Sequence, residues 1–132
     1  WEYAGMSRNE KGLKKAIKEI KKIREEFWQD VRIPGDQYSM NSELEKAGRV
    51  ADFLELGELF AKDALLRNES CGGHYREESI EKKGPQKGEA KRDDKNYKYV
   101  SAWEYLGDPS KSRLHKEHLE FNNIELKQRS YK

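Results

Sequence analysis

The sequence lacks several features that would assign a protein to a class at once. No apolar run approaches the ~20 residues needed to span a bilayer, and no secretory signal pattern is found. The single cysteine, Cys71, excludes an internal disulfide and is typical of a reducing compartment. A formal net charge of +2 is small for a nucleic-acid binder. We therefore predict neither direct membrane insertion nor a nucleic-acid partner.

Residues that form a hydrophobic core are also scarce. The 132 residues are 39% charged and 34% hydrophobic, so the chain can fold as one domain with a small core. Part of its apolar surface is then expected to serve another contact. The chain begins at Trp1 rather than at a methionine, and we expect it to be a fragment of a longer protein.

The clearest predicted element is a helix over residues 7–31. Ser7 and Glu10 have the spacing of a capping box, in which each side chain satisfies the other's free backbone N–H. Apolar residues recur at steps of three and four and form one stripe: Leu13, Ala16, Ile17, Ile20, Ile23, Phe27 and Val31. Pro34 and Gly35 follow and end the segment.

A second helix is predicted over residues 41–68, where Ser42 and Glu45 repeat the capping-box spacing. Its middle is apolar nearly all round the axis: Phe53, Leu54, Leu56, Gly57, Leu59, Phe60 and Ala61. Such a helix requires burial on more than one side. The first helix covers one side only. A surface outside this chain is therefore expected to cover the other.

The remaining sequence predicts a loop and a hairpin. Residues 79–96 are rich in Gly, Lys and Glu without apolar periodicity, which predicts a mobile loop. Residues 97–106 and 113–127 have strand composition and flank a Gly-Asp-Pro-Ser turn. The predicted fold class is mainly α: an antiparallel helical bundle, two long helices plus a short one, with a C-terminal β-hairpin. The single domain divides into a bundle (1–78), the loop and a hairpin tail (97–132).

Cys71 and His74 form the only pair in the sequence that suggests reactive or metal chemistry. A thiolate and an imidazole at this spacing can bind zinc or act as nucleophile and base. No second cysteine is available, and His115 and His118 lie in strand-like sequence. Gly72 and Gly73 lie between Cys71 and His74. A glycine pair can form a phosphate-binding loop or end a helix, and we favour the helix end because a helix and not a strand precedes the pair.

Two sets of charged residues have both a functional and a structural interpretation. Arg76 and Arg92 flank the predicted loop, and they suit either ion pairs with a neighbouring domain or a solvated surface. Lysines on the first helix form a basic face that suits nucleic acid, but glutamates interrupt it and a solvated face is more common: Lys14, Lys15, Lys18, Lys21 and Lys22.

Residues 67–76 read Arg-Asn-Glu-Ser-Cys-Gly-Gly-His-Tyr-Arg. This stretch resembles the Arg-x-Glu-Ser-Arg-Gly-Ala-His-x-Arg segment of the succinate dehydrogenase/fumarate reductase flavoprotein subunit, in its C-terminal domain. The resemblance extends along most of the chain, through Met6-Ser7-Arg8, Phe27-Trp28, Asn41-Ser42-Glu43-Leu44-Glu45, Arg92-Asp93-Asp94 and Arg129-Ser130-Tyr131. Two positions depart from it. Cys71 stands where the family usually has arginine, and Gly73 where it has alanine, so the role of that arginine is not carried over.

The resemblance implies that the redox groups lie upstream of this chain. No catalytic, cofactor-binding or metal residue is expected here, and the isolated chain is predicted to be inactive. The full-length subunit would hold FAD and interconvert succinate and fumarate. It would exchange electrons with an iron–sulfur subunit and quinone, in the tricarboxylic acid cycle or anaerobic respiration. The implied location is the cytoplasmic face of the bacterial membrane, reached through the complex.

The implied partners are the FAD-binding domain of the same subunit, the iron–sulfur subunit and a membrane anchor. The predicted interdomain docking residues are Phe53, Phe60, His74, Arg76, Arg92, Asp93, Asp94, Arg129 and Tyr131. His74 is expected to donate to a backbone carbonyl, and Arg76 and Arg92 to bind carboxylates in bidentate fashion. Two alternatives remain open: a free-standing helical module that binds nucleic acid or protein, and a thiol or metal protein centred on Cys71 and His74.

Overall fold

The structure, a computed structural model, describes residues 1–108 and 110–127. Its elements in chain order are β1 (Ser7–Arg8), α1 (Glu10–Asp30), α2 (Ser42–Leu66), β2 (Tyr75–Arg76), α3 (Asp94–Tyr97), β3 (Tyr99–Asp108) and β4 (Lys111–His118). Strand β1 pairs with β2 in parallel, and β3 pairs with β4 in an antiparallel hairpin. The predicted helices and hairpin are confirmed, and the small parallel sheet was not predicted.

Helix α1 begins later than predicted, because a different residue caps it. The side chain of Asn9 accepts a hydrogen bond from the Gly12 backbone N–H at 2.8 Å. Asparagine is among the strongest N-cap residues. Ser7 lies in β1 instead, where its hydroxyl donates to Glu77 at 2.8 Å. The predicted capping box at the start of α1 is therefore wrong.

Helix α2 is capped in the same way. The side chain of Asn41 accepts from the backbone N–H groups of Glu43 at 3.0 Å and Leu44 at 3.3 Å. Ser42, predicted as the cap, is the first residue of the helix. Both errors have one cause: an asparagine lies close to each predicted serine, and its amide oxygen competes for the same free N–H groups.

The core between α1 and α2 is small. Ile20 of α1 lies over Gly57 of α2, at a distance where a Cβ on Gly57 would be in ordinary van der Waals contact with it. Across the same contact, Arg24 binds Glu58 at 2.6 Å. The buried apolar residues of the described chain are Leu13, Ala16, Ala61, Ala64 and Tyr99. Within the α1 stripe Leu13 and Ala16 are buried, whereas Ile23 and Val31 farther along are exposed.

The segment between β2 and α3 is held by backbone hydrogen bonds at its base. Ser70 N–H donates to the Lys91 carbonyl at 2.9 Å, and Lys91 N–H donates to Ser79 at 3.1 Å. Ile80 and Ala90 form an isolated antiparallel bridge. The loop thus closes on itself beside the end of α2. The mobility expected for residues 79–96 stays a prediction.

The C-terminal hairpin begins and ends at other residues than predicted. Tyr97 belongs to α3, and strand β3 runs two residues past the predicted end at 106. Strand β4 ends at His118, and residues 119–127 contain no further strand. The indole N–H of Trp103 donates to Asp63 at 3.0 Å and thereby joins the hairpin to α2.

Candidate functional site

The segment after α2 is organised by arginine side chains. Helix α2 ends at Leu66, and the guanidinium of Arg67 donates to Glu69 at 2.8 Å. The same group donates to the carbonyls of Tyr97 and Tyr99, each at 2.9 Å. One side chain therefore connects the end of α2 to the start of the hairpin. Because these partners lie about 30 residues away, no local pattern predicts this contact.

The glycine pair forms a turn rather than a helix stop. Cys71 and His74 exchange backbone hydrogen bonds at 2.9 and 3.0 Å, so Gly72 and Gly73 are the central residues of a two-residue turn. Gly72 has a φ of +59°, a backbone conformation that glycine adopts more readily than residues with a Cβ. A positive φ at the first central position suits a hairpin turn. The predicted helix stop is wrong, since Arg67 already caps α2.

Arg76 lies inside the domain, with a side-chain exposure of 2%. Its Nη1 donates to the carbonyls of Ala64 at 2.9 Å and Leu65 at 3.1 Å, in the last turn of α2. Its Nε donates to Glu78 at 3.0 Å. The guanidinium therefore satisfies carbonyls that a helix end leaves without partners and places a positive charge at the negative end of the helix dipole. Its contact with Glu78 within the chain is a single hydrogen bond, and the bidentate docking contact expected of Arg76 stays a prediction.

Glu78 is held in its ionised form by the same arrangement. Burial acts to raise the pKa of its carboxyl, but hydrogen bonds from the backbone N–H of Glu10 and from Arg76 outweigh burial and lower the pKa. Because Glu10 opens α1, this carboxylate also lies at the positive end of that helix. Glu78 thus links the start of α1 to the arginine at the end of α2.

His74 is fixed as a neutral ring by its two partners. Its Nδ1 lies 3.0 Å from Nη1 of Arg8, and its Nε2 lies 2.8 Å from the carbonyl oxygen of Arg67. Since an arginine only donates, Nδ1 accepts and Nε2 carries the proton. The donation to a backbone carbonyl agrees with the sequence expectation. Burial lowers the pKa of His74, its bond to the Arg67 carbonyl acts in the opposite direction, and the positive charges of Arg8, Arg76 and Arg67 help to keep the pKa below its ordinary value.

These contacts argue against a thiol or metal site at Cys71. Both ring nitrogens of His74 are already hydrogen-bonded, so neither is positioned to take a proton from the thiol or to bind zinc. Within residues 1–108 and 110–127, no three His, Cys, Asp or Glu side chains are grouped so that they could hold a metal ion.

The predicted docking residues near the loop make contacts within the chain. Arg92 binds Asp94 through Nη2 at 2.5 Å and Nε at 3.2 Å, on a single carboxylate oxygen. Asp93 caps the short helix α3, and its backbone N–H donates to the buried Glu69 at 2.9 Å. Their docking role stays a prediction. Arg129 and Tyr131 lie outside the described residues.

An exposed apolar surface runs along α2. Phe53 is 65% exposed and Phe60 is 48% exposed, and Leu56 lies exposed between them on the same side of the helix. We call these three residues the α2 face. The guanidinium of Arg8 lies 4.6 Å from the centroid of the Phe60 ring, in cation–π geometry. An open cavity of about 240 Å³ continues from Leu56 to Trp103 and Tyr105 of the hairpin.

Beside this face, Glu58 forms an ion-pair cluster that the sequence did not predict. Its side chain is 1% exposed, and it lies 2.6 Å from Arg24 and 2.7 Å from Lys62. Burial acts to raise the pKa of Glu58, but its bonds to Lys62 and Arg24 outweigh burial and lower the pKa. Lys21 of the basic α1 face also lies 3.8 Å from Glu58, so this lysine pairs with α2.

Together these features define a class of protein: a domain of two long helices and a hairpin, with a small core, a polar cluster of Arg67, His74 and Arg76 at the end of α2, and the exposed α2 face. The chain belongs to the fumarate reductase flavoprotein C-terminal family, whose sequence profile matches residues 1–131. The recognition made from residues 67–76 is therefore confirmed. Among the described helices, none combines the length and the apolar character needed to cross a bilayer.

Individual relatives agree with this assignment. An uncharacterised FAD-dependent oxidoreductase of Methanocaldococcus jannaschii is 34% identical over 85 residues, which are 63% of this chain and 14% of that protein. A mutant FrdA of the Escherichia coli quinol fumarate reductase has a TM-score of 0.74 at 23% identity, over 92% of this chain and 20% of FrdA. A chain of a quinol–fumarate reductase solved with menaquinol gives 0.72 at 23% identity, over 95% of this chain and 20% of that one. This chain thus spans about a fifth or less of the length of these relatives.

Proposed function

We propose that this chain is the C-terminal scaffold domain of a flavoprotein subunit that interconverts succinate and fumarate. FAD, carried by the upstream part of the subunit, would supply the redox chemistry. Electrons would pass to or from an iron–sulfur subunit and quinone through a complex with a membrane anchor, on the cytoplasmic side of the bacterial membrane. The family assignment and the shared fold support this proposal. In it, the chain contributes no redox group and is inactive by itself.

The observation that carries the proposal is the uncovered α2 face. Phe53, Leu56 and Phe60 are exposed on a domain whose own core contains few buried apolar residues. Burying a phenylalanine side chain contributes about 1.5–3 kcal/mol. A partner that buried the α2 face would therefore gain a substantial free energy of association. We propose that α1 and α2 run antiparallel, that α1 covers one side of α2, and that the FAD-binding domain covers the α2 face.

The polar cluster has a supporting role in this proposal. Arg76 and His74 hold the 67–76 segment against the end of α2 and so fix the orientation of the helix that presents the face. Arg92, Asp93 and Asp94 lie next to the 67–76 segment, since the Asp93 N–H donates to Glu69. We propose that these residues, with Arg129 and Tyr131, add polar contacts at the rim of the same interface. Polar groups at an interface rim give specificity more than affinity.

The test is association of this chain with the upstream part of its own subunit, produced together with it. Phe53→Asp and Phe60→Asp should each abolish co-purification, because docking would bury an unpaired carboxylate. Met40→Asp is the matched control: Met40 is an exposed apolar residue in the α1–α2 connection and should tolerate the change. Bound FAD in the purified complex reports the integrity of the partner. Normal assembly of both phenylalanine variants would rule out the α2 face as the docking surface.

A further inference from the structure

The contact between His74 and Arg8 has no part in the proposed docking function. The ring of His74 lies among three arginines, Arg8 from β1, Arg67 from the end of α2 and Arg76 from β2. The carboxylates of this cluster do not compensate for a fourth charge, because Glu69 binds Arg67 and Glu78 binds Arg76. A second proton on the ring would thus meet only positive groups.

The direction of the hydrogen bonds makes the ring sensitive to protonation. Nδ1 of His74 accepts from Arg8. Protonation places an N–H on Nδ1, so two donors then face each other at 3.0 Å, and this contact cannot persist. The bond from Nε2 to the Arg67 carbonyl survives, since Nε2 donates in both forms. Protonation therefore breaks the link to Arg8 and leaves the link to α2.

Arg8 connects this event to the α2 face. Its Nε donates to the Gly5 carbonyl at 2.8 Å, and its guanidinium lies over the ring of Phe60. Nδ1 of His74 accepts from Nη1 of the same guanidinium. Without this acceptor, Arg8 loses one of the contacts that fix it above Phe60.

We propose that His74 is a pH-sensitive latch: neutral, it holds Arg8 over Phe60, and protonated, it releases Arg8 and loosens the N-terminal segment from the α2 face. The consequence for assembly rests on the proposed docking function. The release of Arg8 is independent of that function, so the release and its effect on assembly are tested separately.

The first experiment is NMR of the 132-residue chain with labelled histidine. At pH 7.5 the ring nitrogens of His74 should show an unprotonated Nδ1 and a protonated Nε2, and the ring should titrate below the ordinary histidine pKa of about 6.5. The Phe60 ring signals should move with the His74 titration, and in Arg8→Met they should not. A protonated Nδ1 at neutral pH, or Phe60 signals that ignore His74, would overturn the latch.

The second experiment measures urea unfolding between pH 5 and 7.5. A histidine whose folded pKa is depressed contributes stability that is complete above its unfolded pKa and declines as the pH falls toward the folded pKa. The unfolding constant of the wild-type chain should therefore rise on acidification, by at most tenfold per pH unit for one proton. His74→Gln should remove this rise. The matched variant His115→Gln, on the exposed hairpin, should keep it. A rise between pH 7.5 and 5.5 that persists in His74→Gln would contradict the proposal, because carboxylates such as Glu58 lose their contribution only at lower pH.

The third experiment separates the latch from docking. Association with the upstream part of the subunit should weaken from pH 7.5 to 5.5 in the wild type and remain level in His74→Gln. If the NMR results hold but association does not change with pH, Arg8 release has no effect on assembly and that part of the proposal is wrong. If Phe53→Asp and Phe60→Asp also assemble normally, the failure lies in the assigned docking face.

Discussion

Replacing Arg76 by methionine tests whether this buried side chain holds the domain together. Methionine keeps most of the aliphatic volume and removes every donor. The change deletes hydrogen bonds to the carbonyls of Ala64 and Leu65 at the end of α2 and to the Glu78 carboxylate. It also leaves these acceptors without the partner that burial requires.

The expected cost follows from these contacts. A hydrogen bond from a charged donor contributes about 1.5–3 kcal/mol, and breaking a buried ion pair costs about 3–5 kcal/mol. Glu78 is half-exposed and water replaces part of its lost contact, so we expect about 3–4 kcal/mol for Arg76→Met. That is a large fraction of the 5–15 kcal/mol that stabilises a typical domain. Arg76→Lys keeps the charge without the fork of donors and should cost about half as much.

Urea unfolding followed by circular dichroism at 222 nm measures this loss, because α1 and α2 supply most of the helical signal. With a slope of about 1–3 kcal/mol per molar urea, the midpoint of Arg76→Met should fall by about 1–4 M. The control is Arg113→Met: Arg113 is 63% exposed and makes one ion pair, to Glu104 at 3.5 Å. It should change stability by less than about 1 kcal/mol. If both variants lost the same amount, the role given to Arg76 at the end of α2 would be wrong.

Two further predictions concern the helices. Asn41→Ala should lower the free energy of unfolding by about 1 kcal/mol, because it removes the cap of α2, whereas Ser42→Ala at the first helical position should change it by a few tenths. Equal effects in urea unfolding would contradict the observed cap. Glu58→Gln should destabilise the chain by about 2–4 kcal/mol at pH 7, since it leaves Arg24 and Lys62 without their buried counter-charge. The lowered pKa of Glu58 means that its contribution is present above the unfolded pKa and is lost as the pH falls through the folded pKa. The difference between wild type and Glu58→Gln should therefore shrink on acidification, and a constant difference down to pH 3 would refute the ion-pair assignment.

The sequence by itself determined the two long helices, the hairpin and the surplus of apolar residues on α2. These features arise from local periodicity: a stripe such as Leu13 to Phe27 repeats every three or four residues whatever the rest of the chain does. The resemblance of residues 67–76 also identified the family before the fold was known. Local patterns failed where two residues competed for one role, as Asn9 and Asn41 did with the serines near them.

Only the tertiary structure decided what the polar residues of the 67–76 segment do. Arg8 and His74 meet across 66 positions of sequence, and Arg67 reaches carbonyls 30 and 32 residues away. No local pattern encodes such contacts, because backbone carbonyls carry no sequence signal and a buried arginine reads like an exposed one. The structure also gives Arg76 a role within the chain at the end of α2, while its docking role stays a prediction. The physical reason is that free carbonyls at a buried helix end must find donors, and folding brought this guanidinium within reach of them.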